Sequence, residues 1–270
     1  MRGFVLRRYG KAMETREVPS PVAGPGEVLI RVHAAGLNSI DYKQRDGKMR
    51  GIVGLKLPIV AGSELSGVVQ AVGSGVTRVS VGDRVFARVD KAKLGAFAEY
   101  TAVDENFVAR MPASLDFAQA AALPLAGLAA LQALRDELAV KQGDRVFISG
   151  GAGGVGTFAI QLAKWMGAEV TTTASPRGEE LVKSLGADRV IDYTKQKVTD
   201  FPGGYDGVLD LLGGEVLAES GTDLELMAKL VEDGRLKVVI DRTYEFDKIA
   251  DAFAYLETGR AKGKVVVKVA

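Results

Sequence analysis

The sequence predicts an α/β protein in which a parallel sheet flanked by helices is inserted into a mainly β domain. Three observations in the 270-residue chain lead to this expectation. Residues 1–115 are rich in short alternating strands and turn residues, and a helical apolar period takes over from residue 116. A strand, a glycine-rich turn, a helix and a second strand follow between residues 145 and 173. Residues 262–269 then return to strand-like character.

The first part of the chain predicts strands with alternating apolar and polar residues. They are separated by glycine- and proline-rich turns, as expected for antiparallel β-structure. The predicted strands cover residues 27–33, 67–72, 84–88 and 97–103. After them, the sequence FAQAAALPLAGLAALQAL predicts an alanine-rich pair of helices around Pro124.

Residues 148–156 read ISGGAGGVG and contain the pattern G-x-G-x-x-G at Gly151, Gly153 and Gly156. A lone match to this pattern is weak, because glycine-rich turns are common. Here the apolar residues 145–149 precede it and have the composition of a buried strand. The local context therefore strengthens the match.

Apolar residues recur at helical spacing after the glycine turn until Gly167, and residues 169–173 predict the next strand. In such a βαβ unit the free amides at the helix N-terminus bind the pyrophosphate of a dinucleotide. A P-loop would instead need lysine and Ser or Thr at the end of the loop, where Thr157 and Phe158 stand. The structural alternative is a tight turn that serves only close packing of helix and strand.

The end of the second predicted strand indicates which dinucleotide is bound. An NAD site usually has an acidic residue there for the ribose 2′-hydroxyl, but this chain has TTTASPRG, with Ser175 and Arg177. A guanidinium and a hydroxyl suit a 2′-phosphate. Tyr193, after the predicted strand 189–192, could border the adenosine. We therefore expect NADPH; in the alternative, Arg177 begins a solvated helix and Tyr193 only packs.

Composition excludes several classes of protein. The net charge is +1, and the charged residues, 26% of the chain, are mixed along it, so no basic face indicates nucleic acid or an anionic membrane. The absence of cysteine excludes disulfides and thiolate metal sites. The first ten residues lack the apolar core of a signal peptide. We expect a soluble, cytoplasmic protein.

Several motifs occur in one order along nearly the whole chain: AAGLNSIDYKQRDG, PIVAGSELSGVVQAVGSGV, VGDRVFA, AAALPLAGLAALQAL, GAGGVG and RAKGKVVVKV. In these motifs the chain resembles the medium-chain dehydrogenase/reductase superfamily, and within it the zinc-independent quinone oxidoreductases and enone reductases. The resemblance implies a GroES-like catalytic domain, residues 1–115 with 238–270 returning to it, and a Rossmann domain with a doubly wound parallel sheet, residues 116–237.

The resemblance also implies an activity and an assembly. The expected activity is NADPH-dependent hydride transfer to a quinone or to the carbon–carbon double bond of an enone or enal. The expected assembly is a homodimer. The alternative is a non-catalytic NADPH-binding sensor or structural protein of the same fold. The residues expected to contact NADPH are Gly151, Ala152, Gly153, Gly154, Val155, Gly156, Ser175, Arg177, Tyr193, Leu211 and Ala129.

Alcohol dehydrogenases of this superfamily bind a catalytic zinc through a cysteine near the position of Gly36 and a histidine near Ser63. Neither residue is present here, although the neighbouring Glu64 remains. A catalytic zinc needs three protein ligands, so we expect no metal. The single histidine, His33, is interpreted as a structural residue on its strand.

Without a metal, the reaction needs hydrogen-bond donors where negative charge develops on the substrate oxygen. The resemblance places residues 36–64 along the cleft. Asn38 is the first candidate for the polar group at the reaction site, Lys56 and Tyr42 are possible donors, and Asp41 is expected to orient its neighbours. The alternatives are purely structural roles, in which Asn38 caps a turn or helix, Lys56 is solvated and Tyr42 lies in the core.

Two departures from the family limit what the resemblance implies. Many relatives have a threonine whose hydroxyl approaches the nicotinamide, where this chain has Ala129. Related enoyl reductases carry a tyrosine proton donor in a segment where this chain offers only Met49 and Arg50. A reductase of small enones or quinones is therefore expected, rather than a dedicated enoyl-thioester reductase.

The Rossmann part is short. A strand at 206–210 and a helix beginning at Glu215 should lead to further βα units, yet the chain passes from Ser220 and Gly221 directly into another helix. About 50 residues are missing by comparison with the family, enough for two βα units. We expect that these residues exist but are disordered, which predicts a gap in the backbone at Ser220–Gly221. The alternative is an unbroken chain with a truncated sheet.

Overall fold

The computed structural model describes residues 1–196, 204–211 and 219–270. The strands are, in chain order, β1 (Arg2–Leu6), β2 (Glu14–Glu17), β3 (Glu27–Leu37), β4 (Ile59–Val60), β5 (Glu64–Val72), β6 (Arg84–Arg88), β7 (Tyr100–Asp104), β8 (Val108–Arg110), β9 (Arg145–Ile148), β10 (Glu169–Ala174), β11 (Arg189–Asp192), β12 (Gly207–Leu209), β13 (Ile240–Glu245) and β14 (Lys264–Lys268). The helices are α1 (Ser39–Arg45), α2 (Phe117–Ala121), α3 (Pro124–Gln132), α4 (Gly154–Trp165), α5 (Pro176–Ser184), α6 (Gly221–Glu232) and α7 (Ile249–Glu257).

The β-rich part is built around a seven-stranded sheet with β3 at its centre. The order is β13-β14-β3-β5-β6-β8, and β7 pairs with another stretch of β3. A second sheet has the order β2-β1-β4. Apolar side chains on β3, including Val28, Ile30 and Val32, are fully buried in the core of this part. Their alternation with more exposed neighbours is the pattern from which the strand is predicted.

β3 is longer than predicted, because it continues beyond residue 33 to Leu37. The additional residues pair with β14 from the far end of the chain, Val265 opposite Leu37 and Lys268 opposite Ala34. A partner so distant in sequence leaves no local signal in the alternation of residues 34–37.

The helical part contains a parallel sheet of β11-β10-β9-β12 in its described residues. Its strands are short and apolar, as expected where helices cover the faces of a parallel sheet. α4 packs its apolar face on this sheet and buries Phe158, Ile160 and Leu162 completely. Since the strands are parallel, their carboxyl ends share one edge, where β9 runs into the glycine turn.

The two parts meet where the chain enters β14. The Gly263 amide donates to the Ala152 carbonyl at 2.9 Å, and Gly153 and Gly263 form an isolated β-bridge. The returning C-terminal segment therefore contacts the glycine turn directly before joining β3.

The predicted gap at Ser220–Gly221 is wrong. Ser220 is the N-cap residue of α6, its carbonyl accepts from the Leu224 amide at 3.1 Å, and its hydroxyl accepts from the Asp223 amide at 3.1 Å. The backbone is therefore continuous there, and the described sheet is a truncated one of four strands. The predicted helix beginning at Glu215 lies outside the described residues.

α6 is held by polar contacts against the end of α3 and the helical turn that follows it, Ala133–Glu137. Arg135 Nη1 lies 2.6 Å from Asp223 Oδ1, and Gln132 Nε2 donates to Asp223 Oδ2 at 3.0 Å. The helices also approach closely, since a Cβ on Gly127 would lie 2.6 Å from Met227 Sδ. The shortened chain thus positions α6 by specific contacts.

Candidate active site

The glycine turn brings the start of α4 against the sheet. Gly150 has φ +67°, a conformation that favours glycine. A Cβ on Gly156 would lie 2.3 Å from the Gly150 carbonyl oxygen, and one on Gly151 would lie 2.2 Å from Thr172 Oγ1. Close packing therefore explains these two glycines, as the structural alternative proposes.

Close packing within the turn does not explain the other glycines of the motif. The nearest atom to a Cβ on Gly153 would be the Gly150 carbonyl oxygen at 3.3 Å, and Gly154 approaches only the returning C-terminal segment. No side chain of the described residues caps α4 at Gly153. The amides of its first turn are thus available to an anion such as a pyrophosphate.

The predicted residues after the strands lie along the same edge of the sheet, because each follows the carboxyl end of a parallel strand. Ser175 follows β10, is half-buried, and makes no capping hydrogen bond at the start of α5. Arg177 is exposed and has no ion-pair partner among the described residues. Tyr193 follows β11 and is 58% exposed. The Leu211 amide, after β12, donates to Ser149 Oγ at 2.9 Å.

Asn38 lies in a buried polar network between β3, β5 and β14. It is the N-cap residue of α1, and its amide donates to Asp41 Oδ2 at 2.8 Å. Its side-chain Nδ2 donates to Glu64 Oε1 at 2.7 Å, and its Oδ1 accepts a hydrogen bond from Lys264 Nζ. Glu64 Oε2 in turn accepts from the Leu125 amide in the first turn of α3, at 2.6 Å. The carboxylate thus links the β-rich part to this helix.

Asp41 is fully buried beside Asn38. Its Oδ1 accepts from the Ser63 hydroxyl at 2.9 Å. The pKa of Asp41 is raised to about 7, chiefly by burial and also by the nearby negative charge of Glu64. The hydrogen bonds from Asn38 and Ser63 and the charge of Lys264 lower it and offset part of that rise. These contacts are those that an orienting role requires, and the role itself stays a prediction.

The other two predicted catalytic residues lie outside this network. Tyr42 is half-buried and packs on the core of the β-rich part. Burial raises the pKa of its hydroxyl, as do the charges of Glu257 and Asp46. Lys56 is exposed and contacts no described residue through a hydrogen bond or ion pair. The structure therefore brings Asn38 and Asp41 together. Tyr42 packs on the core and Lys56 is exposed, as expected if neither has a catalytic role.

Comparison with known families and proteins agrees with this architecture. The chain matches the family models "Alcohol dehydrogenase GroES-like domain" over residues 24–113 and "Zinc-binding dehydrogenase" over residues 154–238, with a second model of the latter description over 216–267. It is 40% identical to the 2-methylene-furan-3-one reductase of Solanum lycopersicum, over 99% of this chain and 79% of that protein. The chain belongs to the medium-chain dehydrogenase/reductase superfamily.

Two further members support the predicted branch of the superfamily. The NADPH-dependent alkenal/one oxidoreductase of Arabidopsis thaliana is 40% identical over 99% of this chain and 79% of that protein. The structure of the quinone oxidoreductase from Coxiella burnetii is 34% identical and superimposes with a TM-score of 0.90, covering 100% of this chain and 99% of that one. The predicted resemblance, fold class and enzyme type are confirmed.

This superfamily member is shorter than its plant relatives within the aligned region. The alignment with the tomato reductase extends over 308 positions, at least 38 more than the 270 residues of this chain. Those positions have no counterpart here. In the described residues of this part, the backbone is continuous at Ser220–Gly221 and the parallel sheet has four strands.

The position that carries the zinc cysteine in alcohol dehydrogenases is filled by other groups here. A Cβ on Gly36 would lie 2.3 Å from Glu64 Oε1 and 2.6 Å from the Ala121 carbonyl oxygen. His33 is stacked on Phe117, with ring centroids 4.2 Å apart. Within the described residues, no group of three or more His, Cys, Asp or Glu side chains could hold a metal ion.

Sequence reasoning missed two buried cations in this site. Lys264 is 2% exposed and lies at the start of β14. The sequence there, KGKVVVKV, predicts a strand but no site residue. Arg88 is 2% exposed, and its Nη2 lies 3.4 Å from Glu219 Oε1. Burial lowers the pKa of Arg88. A lysine at the head of a valine-rich strand was the available signal for Lys264, and Arg88 gave none beyond its place in an apolar strand.

Proposed function

We propose that the chain is an NADPH-dependent, zinc-independent oxidoreductase that reduces a quinone or the carbon–carbon double bond of an enone or enal. The observation that carries this proposal is the buried Asn38 side chain. One of its two amide protons is bound by Glu64, and the other has no partner among the described residues. A second N–H fixed in this way can donate to an oxygen on which negative charge develops.

The residues on the carboxyl edge of the sheet fit NADPH. The amides at the start of α4 would hold the pyrophosphate, and Ser175 and Arg177 would hold the 2′-phosphate, which needs a cation and a hydrogen-bond donor. Bound NADPH would supply the hydride. The names of two plant relatives, a furanone reductase and an NADPH-dependent alkenal/one oxidoreductase, support the substrate class.

Zinc independence is supported by the chemistry of the side chains around Gly36. Glu64 lies beside the positions of the zinc ligands, and its Oε1 already accepts from Asn38 and Lys264. A cation beside this carboxylate would compete with the Lys264 ammonium at 2.7 Å. Ser63 is engaged by Asp41 and does not supply a second strong ligand.

A non-catalytic NADPH-binding protein is the second candidate. Ala129, half-buried on α3, favours it, since it places a methyl group where many relatives carry the threonine hydroxyl. A protein of this kind would bind NADPH without consuming it.

Location and assembly also belong to this proposal. In the part of the chain that the structure describes, no helix is long and apolar enough to cross a membrane. We propose a cytoplasmic homodimer with no nucleic-acid or membrane partner, although the Arabidopsis relative is named as chloroplastic. Sedimentation velocity of the purified chain tests the dimer.

The deciding experiment is the oxidation of NADPH by the purified protein with a panel of simple quinones, enones and enals. We expect turnover with at least one class, and a loss of kcat of about 10²–10³-fold in Asn38→Ala, the effect of removing one donor to an oxyanion. NADPH binding without turnover of any substrate would favour the non-catalytic alternative. Absence of NADPH binding would refute both.

A further inference from the structure

Lys264 has all its hydrogen-bonding capacity used inside the protein. Its Nζ donates to Glu64 Oε1 at 2.7 Å, to the Leu37 carbonyl at 3.2 Å and to Asn38 Oδ1. An ammonium group has three N–H donors and no acceptor, so these three contacts satisfy it completely. The side chain is 2% exposed. No N–H of Lys264 therefore remains for a ligand, and Lys264 can influence a ligand only through the residues that it contacts.

The neighbours of Asn38 determine which way its carboxamide faces. A lysine only donates, so the amide atom beside Lys264 has to be the oxygen. An ionised glutamate only accepts, so the atom beside Glu64 has to be the nitrogen, and Nδ2 donates to it at 2.7 Å. Only one orientation of the amide satisfies both charges. In that orientation the second Nδ2 proton has no partner among the described residues.

We propose that Lys264 is a positioning residue for the reduction. With Glu64, it locks the Asn38 carboxamide so that its second N–H donates to the substrate oxygen that becomes negatively charged. The inference rests on the proposed function, and it assigns to the C-terminal strand a role in the active site. A buried Lys–Glu pair thus lies where alcohol dehydrogenases of the superfamily bind zinc, and it orients a neutral donor there.

The same residue connects this donor to the glycine turn. Lys264 Cδ would lie 3.1 Å from a Cβ on Gly154, the first residue of α4. The preceding residue, Gly263, donates to the Ala152 carbonyl at 2.9 Å. One short segment thus fixes both the Asn38 amide and the turn assigned to NADPH. Hydride transfer needs the donor and acceptor carbons at about 3–3.5 Å. A segment that fixes both the Asn38 amide and the glycine turn would help to hold substrate and NADPH at this distance.

The test must separate this role from a structural one. Replacing Lys264 alone would leave Glu64 buried without its counter-charge, which destabilises a protein strongly. The variant used is therefore Lys264→Gln with Glu64→Gln, which removes both charges and keeps hydrogen-bonding side chains of similar length. Glutamine has both donor and acceptor atoms, so it no longer dictates the orientation of Asn38. Lys268→Gln is the matched control, since Lys268 lies on the same strand and is exposed.

The kinetic test is a double-mutant cycle with Asn38→Ala. We expect Lys264→Gln/Glu64→Gln to lower kcat about 10²-fold, as a misplaced donor would, while the dissociation constant of NADPH changes less than about threefold. In the Asn38→Ala background the same pair should cost almost nothing further. An equal loss in both backgrounds, or kcat within about threefold of the wild type, would overturn the inference.

A second measurement keeps the inference testable if the wild type reduces no substrate, in which case the proposed function fails. In ¹⁵N NMR spectra of the full chain, the side-chain amide of Asn38 is identified by its absence in Asn38→Ala. Its protons should exchange slowly with water in the wild type and Lys268→Gln, and at least about tenfold faster in the double variant, because a locked amide is protected. Unchanged exchange in the double variant would refute the role of Lys264.

Discussion

Arg177 is an exposed cation on the first turn of α5, beside a serine hydroxyl that makes no capping hydrogen bond. If it holds the 2′-phosphate, Arg177→Glu replaces an attractive charge by a repulsive one. We expect NADPH to bind at least about tenfold more weakly, since a charged hydrogen bond contributes about 1.5–3 kcal/mol. NADH should be nearly unaffected. Fluorescence titration with both cofactors measures the two dissociation constants.

Lys183→Glu is the control for this prediction, because it makes the same charge change on an exposed position of the same helix. It should leave the preference for NADPH intact. An equal loss of NADPH and NADH affinity in Arg177→Glu would show that Arg177 does not bind the 2′-phosphate.

Asp41 gives the residue-scale prediction for pH. Burial raises its pKa to about 7 in the folded protein, whereas a carboxyl in the unfolded chain has a pKa of about 4. Between these values the folded state binds more protons than the unfolded one. The contribution to stability is therefore complete below about pH 4 and is lost as the pH rises through about 7, by at most roughly 4 kcal/mol.

The variant Asp41→Asn should remove this pH dependence, because asparagine keeps an acceptor and does not titrate. Urea unfolding at pH 5 and pH 8 measures the free energy of unfolding of both proteins. We expect the wild type to lose more stability than the variant between the two values. The same loss in both would assign the pH dependence to other groups.

At the scale of elements, β3 approaches the end of α2 closely at Gly36. A Cβ there would lie 2.6 Å from the Ala121 carbonyl oxygen, a backbone atom, as well as close to Glu64. We expect Gly36→Ala to lower the free energy of unfolding by about 1–3 kcal/mol, because the strand and helix must separate. Gly54→Ala is the matched control, since a Cβ on Gly54 meets no atom within 4 Å. Equal stability of the two variants in urea would contradict this packing.

At the scale of the whole molecule, the expected activity depends on both parts of the chain but on no metal. Treatment with a chelator should leave the rate of NADPH oxidation unchanged, because Gly36 and Ser63 supply no zinc ligands of the usual kind. Elemental analysis of the purified protein should find no stoichiometric zinc. A tightly bound zinc whose removal abolishes turnover would overturn the zinc-independent proposal.

The sequence by itself determined the elements whose cause is local. The strand before the glycine turn, the helix after it and the next strand follow from apolar periodicity and glycine placement, and the structure has them as β9, α4 and β10. Comparison of motifs also showed that the Rossmann part is short. It predicted a gap at Ser220–Gly221, because a missing segment in a sequence does not reveal whether the remaining ends join. The capping of α6 by Ser220 shows that they do.

Only the tertiary structure decided which polar groups share the site. Asn38 and Lys264 are 226 residues apart and meet because β14 pairs with β3. Asp41 titrates near neutrality because the fold buries it, which its local sequence does not show. Lys56 and Tyr42 lie in the same predicted segment as Asn38 but outside its network, since proximity in sequence does not fix the direction of a side chain. The geometry of the donor on Asn38 is therefore a property of the folded molecule, set by two charges from distant strands.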